Sequence, residues 1–449
     1  MTVFRRNQNR TYARPTAAQL TCLFLLTMVA ALGLEAQTLT VLHSFTFHSD
    51  GANPMAGLTM DAHGSLYGTA SQGGLGVGTV YKLTPAGAGW LFTPLYIFQG
   101  GSNDGAEPVA RVVFGPDNTL YGTTEHGGNS AGFCSRGCGT VFNLQPSAST
   151  CRSTSCPWRE TVLYQFSTHD SSFGELPESE VTFDGAGNLY GTTYTGGYYD
   201  QPGGGGGGCV LCGVVYELSR SGGNWTEQVV YGFSGYQYGS DGALPVGGVT
   251  FDNAGNLYGT TSAYGDCGMG IVYQLTPGSE WSENILQQLC SNNGPSPTAN
   301  LIYNPSSQTF YGDSEGDTMY GSYPGNVFTL TQSGGVWTFQ PIYTFSWSGG
   351  GPAGQLVQDS AGNLYGTTIQ GGSNPLGLCP NGCGTIFKLT PSNGGWTYSE
   401  LYDFTGGSDG SAPHSNLIQD AQGNFYGTAS AGGSTVCSGG CGVIFKFTP

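Results

Sequence analysis

In the stretch FYGDSEGD, Asp313, Glu315 and Asp317 stand at alternate positions beside Gly316. Carboxylates at first, third and fifth places resemble part of a calcium loop, where they supply oxygen ligands. The rest of the twelve-residue EF-hand pattern is missing, and an ordinary solvated loop is the competing reading. Calcium is therefore the one cofactor these residues bring into question, and no other is expected.

A second set is defined by its place ahead of a recurring apolar run. That position is occupied by Gly57, Arg111, Glu180, Gly248, Asn300, Gln355 and Asn416. One guanidinium, one carboxylate and three amides, if gathered together, suit a sugar or another small polar solute, with Arg111 as a bidentate donor. A hydrated pore without a ligand is the plainer alternative. A third set is the phrase DGAxP, starting at Asp50, Asp104 and Asp241, with DGSAP starting at Asp409. It reads either as an Asp-capped turn stiffened by Pro or as part of an acidic face for a polar ligand or cation.

Thirteen cysteines include Cys22 in the N-terminal segment. The other twelve fall into neighbours: Cys134 with Cys138, Cys151 with Cys156, Cys209 with Cys212, Cys379 with Cys383, and Cys437 with Cys441, leaving Cys267 and Cys290. Short-range disulfides are expected. Cys-x-x-Cys is also a zinc half-site, but no His lies near most of these pairs. Enzyme signatures are missing: there is no Gly-x-Ser-x-Gly elbow and no phosphate loop, and GGGGGG before Cys209 has no Lys. The histidines, at 43, 48, 63, 126, 169 and 414, show no metal spacing. No catalytic residue is assigned, and the expectation leans away from an enzyme.

These residues sit in a repeat. NLYGTT-like phrases place Tyr67, Tyr121, Tyr190, Tyr258, Tyr311, Tyr365 and Tyr426 at intervals of 53 to 69 residues. Each copy has four strand-like pieces: an apolar run such as GVTFD, then NLYGTT, then GTVYKLTP, then a piece ending in a phrase such as LYIF or LYDF. Four short strands joined by tight turns make an antiparallel meander. Seven meanders at this period predict an all-β, seven-bladed β-propeller over residues 37–449. A β-solenoid competes, but its coils are usually much shorter. First strands then line the axis, where the Arg111 set lies. The DGAxP turns, the Gly-rich loops and most cysteine pairs share one face. TLTVLHSF, near the N-terminus, matches a fourth strand, while the last unit stops at its third, GVIFKFTP. The N-terminal strand is expected to complete the last blade and close the ring.

The units AGNLYGTTIQGG and GCGTIFKLTP resemble the Gloeo/Verruco (GloVer) repeat of exported bacterial tandem-repeat proteins. The resemblance covers nearly all of the chain after the N-terminal segment and implies export and a repeat scaffold. It also implies a frequent C-terminal sorting or anchoring segment. This chain ends at Pro449 inside a strand, which puts surface tethering through its C-terminus in doubt.

Residues 1–36 read as a signal peptide: Arg5, Arg6, Arg10 and Arg14 precede a mostly apolar stretch over residues 17–34, and Ala36 closes it. A membrane anchor competes, since the stretch is long enough to span, but Gln19, Thr21 and Thr27 interrupt it. After residue 36 the chain holds 8 basic and 28 acidic side chains, a net charge of −20. That balance excludes nucleic acid and anionic membrane as partners. The expectation is a monomer, exported to the periplasm, cell surface or exterior, binding an extracellular glycan, another polar ligand or a surface protein. The alternative is a propeller-type carbohydrate-active enzyme, a glycosidase or lyase, with acids on the loop face.

Overall fold

A computed structural model describes residues 37–449, except 75, 131–133, 147–157, 168–173, 198–211, 236–240, 292, 318–322, 347–349 and 374–375, and the side chain of Asp317. The segment read as a signal peptide, residues 1–36, lies outside the described residues. Seven four-stranded antiparallel sheets form a β-propeller. The first blade comprises Thr59–Met60, Leu66–Ala70, Thr79–Ala86 and Gly89–Ile97, and the next five follow the same order.

The repeated phrase begins with a turn that its own aspartate builds. Asp252 accepts hydrogen bonds from the backbone N–H groups of Ala254 and Asn256, and the Tyr258 hydroxyl donates to its second oxygen at 3.0 Å. Asp359 with Tyr365, and Asp420 with Tyr426, repeat the arrangement. Burial raises the Asp359 and Asp420 carboxyls, but these donors outweigh it and hold both below the usual range. One carboxylate thus fixes the first hairpin and ties down the Tyr on the strand that follows.

That strand, LYGTT or LYGTA in most blades, is buried throughout. Leu66 packs with Ile444 and Tyr426 of the seventh blade, whereas Tyr67 packs with Leu120 and Phe142 of the second. Alternation normally separates a wet face from a dry one, but here both faces are dry. Seven hydrophobic clusters result, one between each pair of neighbouring blades. The glycine within the strand leaves room for the ring opposite. A Cβ at Gly68 would lie 2.5 Å from the hydroxyl of its cross-strand partner Tyr81.

Polar latches join the blades further. Thr69, Thr123, Thr192 and Thr428 each donate a hydroxyl to a backbone carbonyl of the following blade: Ala110, Ser179, Gly247 and Ala56. In the DGAxP connection, the backbone N–H before Pro bonds to the carbonyl of the preceding blade, as Glu107 does to Val77 at 2.8 Å. The proline then sits over the glycine that opens that blade's third strand, so a Cβ at Gly78 would fall 2.5 Å from Cδ of Pro108.

The ends meet as the strand count requires. Thr38–Ser44 pairs antiparallel with Val443–Thr448, in register from Thr38 opposite Thr448. Disulfides Cys134–Cys138, Cys379–Cys383 and Cys437–Cys441 brace loops between second and third strands, and Cys267–Cys290 ties such a loop to the exit of its fourth strand. Cys212 is also disulfide-bonded, while Cys151, Cys156 and Cys209 lie outside the described residues. Disulfides of this kind belong to oxidising compartments. Among the described residues, no helix is long and apolar enough to cross a membrane.

Two substitutions test this packing. Tyr81, Tyr216 and Tyr273 are fully buried with unpartnered hydroxyls, at the place where other blades carry Phe142, Phe328, Phe387 and Phe445. Tyr216→Phe should therefore stabilise the chain by about 1 kcal/mol in denaturant unfolding, because an orphaned donor is removed. Gly78 has φ +105°. Gly78→Ala should destabilise by about 2–4 kcal/mol, combining left-handed strain with overpacking against Pro108.

Candidate functional site

First strands converge on the axis and surround a cavity of about 230 Å³. Most of the set identified ahead of the apolar runs meets there, but Gln355 and Gly248 are not in the wall. Arg111, Glu180, Asn300 and Asn416 are in the wall, together with Gly57. Arg111 donates Nε and Nη2 to the two oxygens of Glu180, at 2.5 and 2.8 Å. Asn300 Nδ2 donates to Glu180 Oε1 at 2.9 Å, and its Oδ1 accepts the backbone N–H of Gly248. On the other side, Asn416 Oδ1 accepts the backbone N–H of Gln355. The expected bidentate face of Arg111 is therefore directed at Glu180, and the ring joins blades two, three, four and five, and six with seven. Glu180 is only 9% exposed, so removing Arg111 would strand a buried charge.

A second ring, missed by the sequence reading, is formed by the residues directly after each connecting proline. Met55, Val109, Glu178, Val246, Thr298 and His414 line the same cavity. Burial pushes the Glu178 carboxyl up to about 7, and the charge of Glu125 adds to the effect. Burial lowers the His414 imidazole, which favours its neutral form. The signal was present: this position also varies from unit to unit, but it stands two residues further from the apolar run.

The calcium-loop expectation is corrected in its geometry. FYGDSEGD is not a loop but a strand, Thr309–Asp317, which pairs with Tyr323–Ser333 well past the five-residue length of its counterparts. Asp313 is 2% exposed and neither carboxylate oxygen has a hydrogen-bond partner. Burial, reinforced by the charge of Glu315, raises its carboxyl well above the usual range. Glu315 lies in the cavity wall, and burial raises it too. Asp317 ends the strand opposite Tyr323.

The DGAxP aspartates serve the fold. Asp50, Asp241 and Asp409 each accept the backbone N–H and hydroxyl of Thr46, Ser234 and Thr405. Asp104 accepts the N–H groups of Gln99 and Gly105. Their oxygens are turned to the chain rather than to a ligand.

The Gloeobacter/Verrucomicrobia repeat matches residues 27–204 and 320–449. The chain belongs to that family. Between the two matched stretches lie the outer two strands of the third blade, the fourth blade and the inner two strands of the fifth, which this repeat protein builds on the same plan. No curated protein matches it. Among solved structures, a polysaccharide lyase, an ulvan lyase, is 11% identical, with 91% of this chain and 95% of that one covered and a TM-score of 0.54. A glucose dehydrogenase is 12% identical, covering 92% and 99%, with a TM-score of 0.44. A protein of unknown function from Dyadobacter fermentans DSM 18053 is 10% identical, covering 91% and 96%, also at 0.44. At these identities the likeness is one of fold.

The axial carboxyl gives a pH test on this repeat protein. Folding raises Glu178 to about 7, above the 4.5 of an exposed glutamate. Its contribution to stability is therefore complete below about pH 4.5 and is lost as pH rises through about 7. Glu178→Gln should melt with the parent at pH 4 and above it at pH 8, as read by thermal unfolding at both values.

Proposed function

We propose that this chain is an exported binding module whose axial cavity takes a neutral polar ligand, foremost the end of an extracellular glycan. One observation carries the reading: the cavity combines a self-neutralised floor with a wall of mixed character. Arg111 and Glu180 cancel each other's charge. With them in the wall stand hydrogen-bonding groups, Glu178, Thr298 and His414, and apolar Met55, Val109 and Val246. Such alternation matches a sugar, which presents hydroxyls at its rim and C–H groups on its faces. The volume of about 230 Å³ is below the roughly 300–1,000 Å³ that holds drug-sized ligands. It suits about one sugar ring. The acidic balance of the chain disfavours an anionic ligand.

A second reading, a carbohydrate-active enzyme, has one observation in its favour. A carboxyl near pH 7 in a cavity, as at Glu178, is poised for proton transfer. The ulvan lyase that shares this fold is a polysaccharide lyase, and at 11% identity the likeness is one of fold.

A glycan array read alongside a reducing-sugar and unsaturated-product assay separates the two. Binding without turnover is expected, with His414→Ala weakening it at least about tenfold, as loss of a buried hydrogen-bonding group does. Turnover by the parent chain that is lost in Glu178→Gln would replace the binding reading with the enzyme. Neither binding nor turnover across the array would overturn both.

A further inference from the structure

The second blade alone places a glutamate in the variable slot of DGAxP and a Glu-His pair after its NLYGTT-like strand. Glu107 stands ahead of Pro108, and Glu125 and His126 follow Thr124. Chain separation hides their meeting, which the ribbon between Gly105–Ala106 and His126–Gly127 brings about. The backbone N–H of Glu125 donates to the carbonyl of Glu107, which fixes the relative position of the two acids.

The side chains then converge. Nδ1 of His126 lies 3.6 Å from Oε2 of Glu107 and 3.5 Å from Oε1 of Glu125, and one ligand atom from each of the three falls within 4.8 Å of the others. These separations exceed a hydrogen bond. Nδ1 is buried and has no hydrogen-bond partner. An imidazole nitrogen and two carboxylate oxygens are thus gathered while Nδ1 is left without a hydrogen-bond partner. A tetrahedral ion with bonds of about 2.0–2.2 Å holds its ligand atoms about 3.3–3.6 Å apart, and both separations from His126 Nδ1 fall in that range.

Charge points the same way. Arg136 is paired with the other oxygen of Glu107, so it orients that carboxylate and leaves Oε2 toward His126. With a neutral imidazole, Glu107, Glu125 and Arg136 together carry one uncompensated negative charge, and Glu178 lies within electrostatic reach of Glu125. Imidazole selects against calcium and magnesium, which prefer all-oxygen sites, and in favour of zinc and its neighbours. The second grouping of this kind, Cys134 and Cys138 with Glu175, has its sulfurs closed in a disulfide and offers no thiolate.

We propose that Glu107, Glu125 and His126 form a binding site for a divalent first-row transition-metal ion of the zinc class, with three protein ligands and a fourth position open. The site is separate from the glycan reading and stands without it.

The test uses the full chain without a histidine tag, stripped with chelator and titrated with zinc chloride by calorimetry. One equivalent should bind, with affinity falling in acid because protons compete with the metal for its ligands. His126→Asn should weaken binding more than about 100-fold, beyond the effect of losing an outer-shell partner. Glu125→Gln should weaken it at least about tenfold. Cobalt(II) substituted into the parent chain should show the intense visible bands of a tetrahedral site, a readout that needs no variant to fold. Absence of zinc binding by the folded parent, or binding unchanged in a folded His126→Asn, would overturn the proposal and leave the cluster as an ion-pair network.

Discussion

The second strand of each unit has no face to give to water, and the architecture follows from that constraint. Leu66 needs a neighbour on one side and Tyr67 needs one on the other, so no blade can bury its own core. Each supplies half of two interfaces, and the demand is met only when the row of blades closes on itself. An open row would leave two such faces exposed at its ends. Pairing of Thr38–Ser44 with Val443–Thr448 makes the seventh blade a joint product of both chain regions and locks the ring. Glycine on the buried strand and aromatic residues opposite are two halves of one packing solution: the missing Cβ of Gly68 is the space that Tyr81 occupies.

Closure also creates the functional geometry. It brings seven first strands together at the axis and orders their entry residues into rings. The floor ring is held by side chains that reach across blades, with Glu180 receiving Arg111 from one neighbour and Asn300 from a blade beyond. Within this network the charges of Arg111 and Glu180 cancel each other. Glu178 and His414 stand in the less hydrated space beside it, and their protonation follows from burial. The loop face owes its rigidity to disulfides and to aspartates that cap the turns leaving each fourth strand.

Particular residues show what could be read in advance. Blade number, strand order and closure were legible because each is a matter of counting a local pattern. The Arg111 set was legible as a ring because equal places in equal units must meet at the axis. Its internal chemistry was not. That Glu180 takes up the donors of Arg111 depends on which neighbours face each other across a few ångströms. The FYGDSEGD segment was misjudged for a similar reason. Its acids and glycine look like a solvated loop, yet extension of the hairpin makes it strand and buries Asp313. His126 had no partner by spacing, because Glu107 reaches it from another segment through a two-residue ribbon.

By itself, then, the sequence determined the repeat, the all-β class, the sevenfold closure and the short-range disulfides that the described residues show. All of these rest on contacts between residues a few places apart, or on one rule applied to each unit alike. Only the tertiary structure decided which polar groups neutralise one another and which stand free in the cavity. It also decided which acids are forced toward neutrality and which meet a histidine. Those outcomes depend on distance and dielectric across blade boundaries, where the departures of each unit from the common pattern first come into contact.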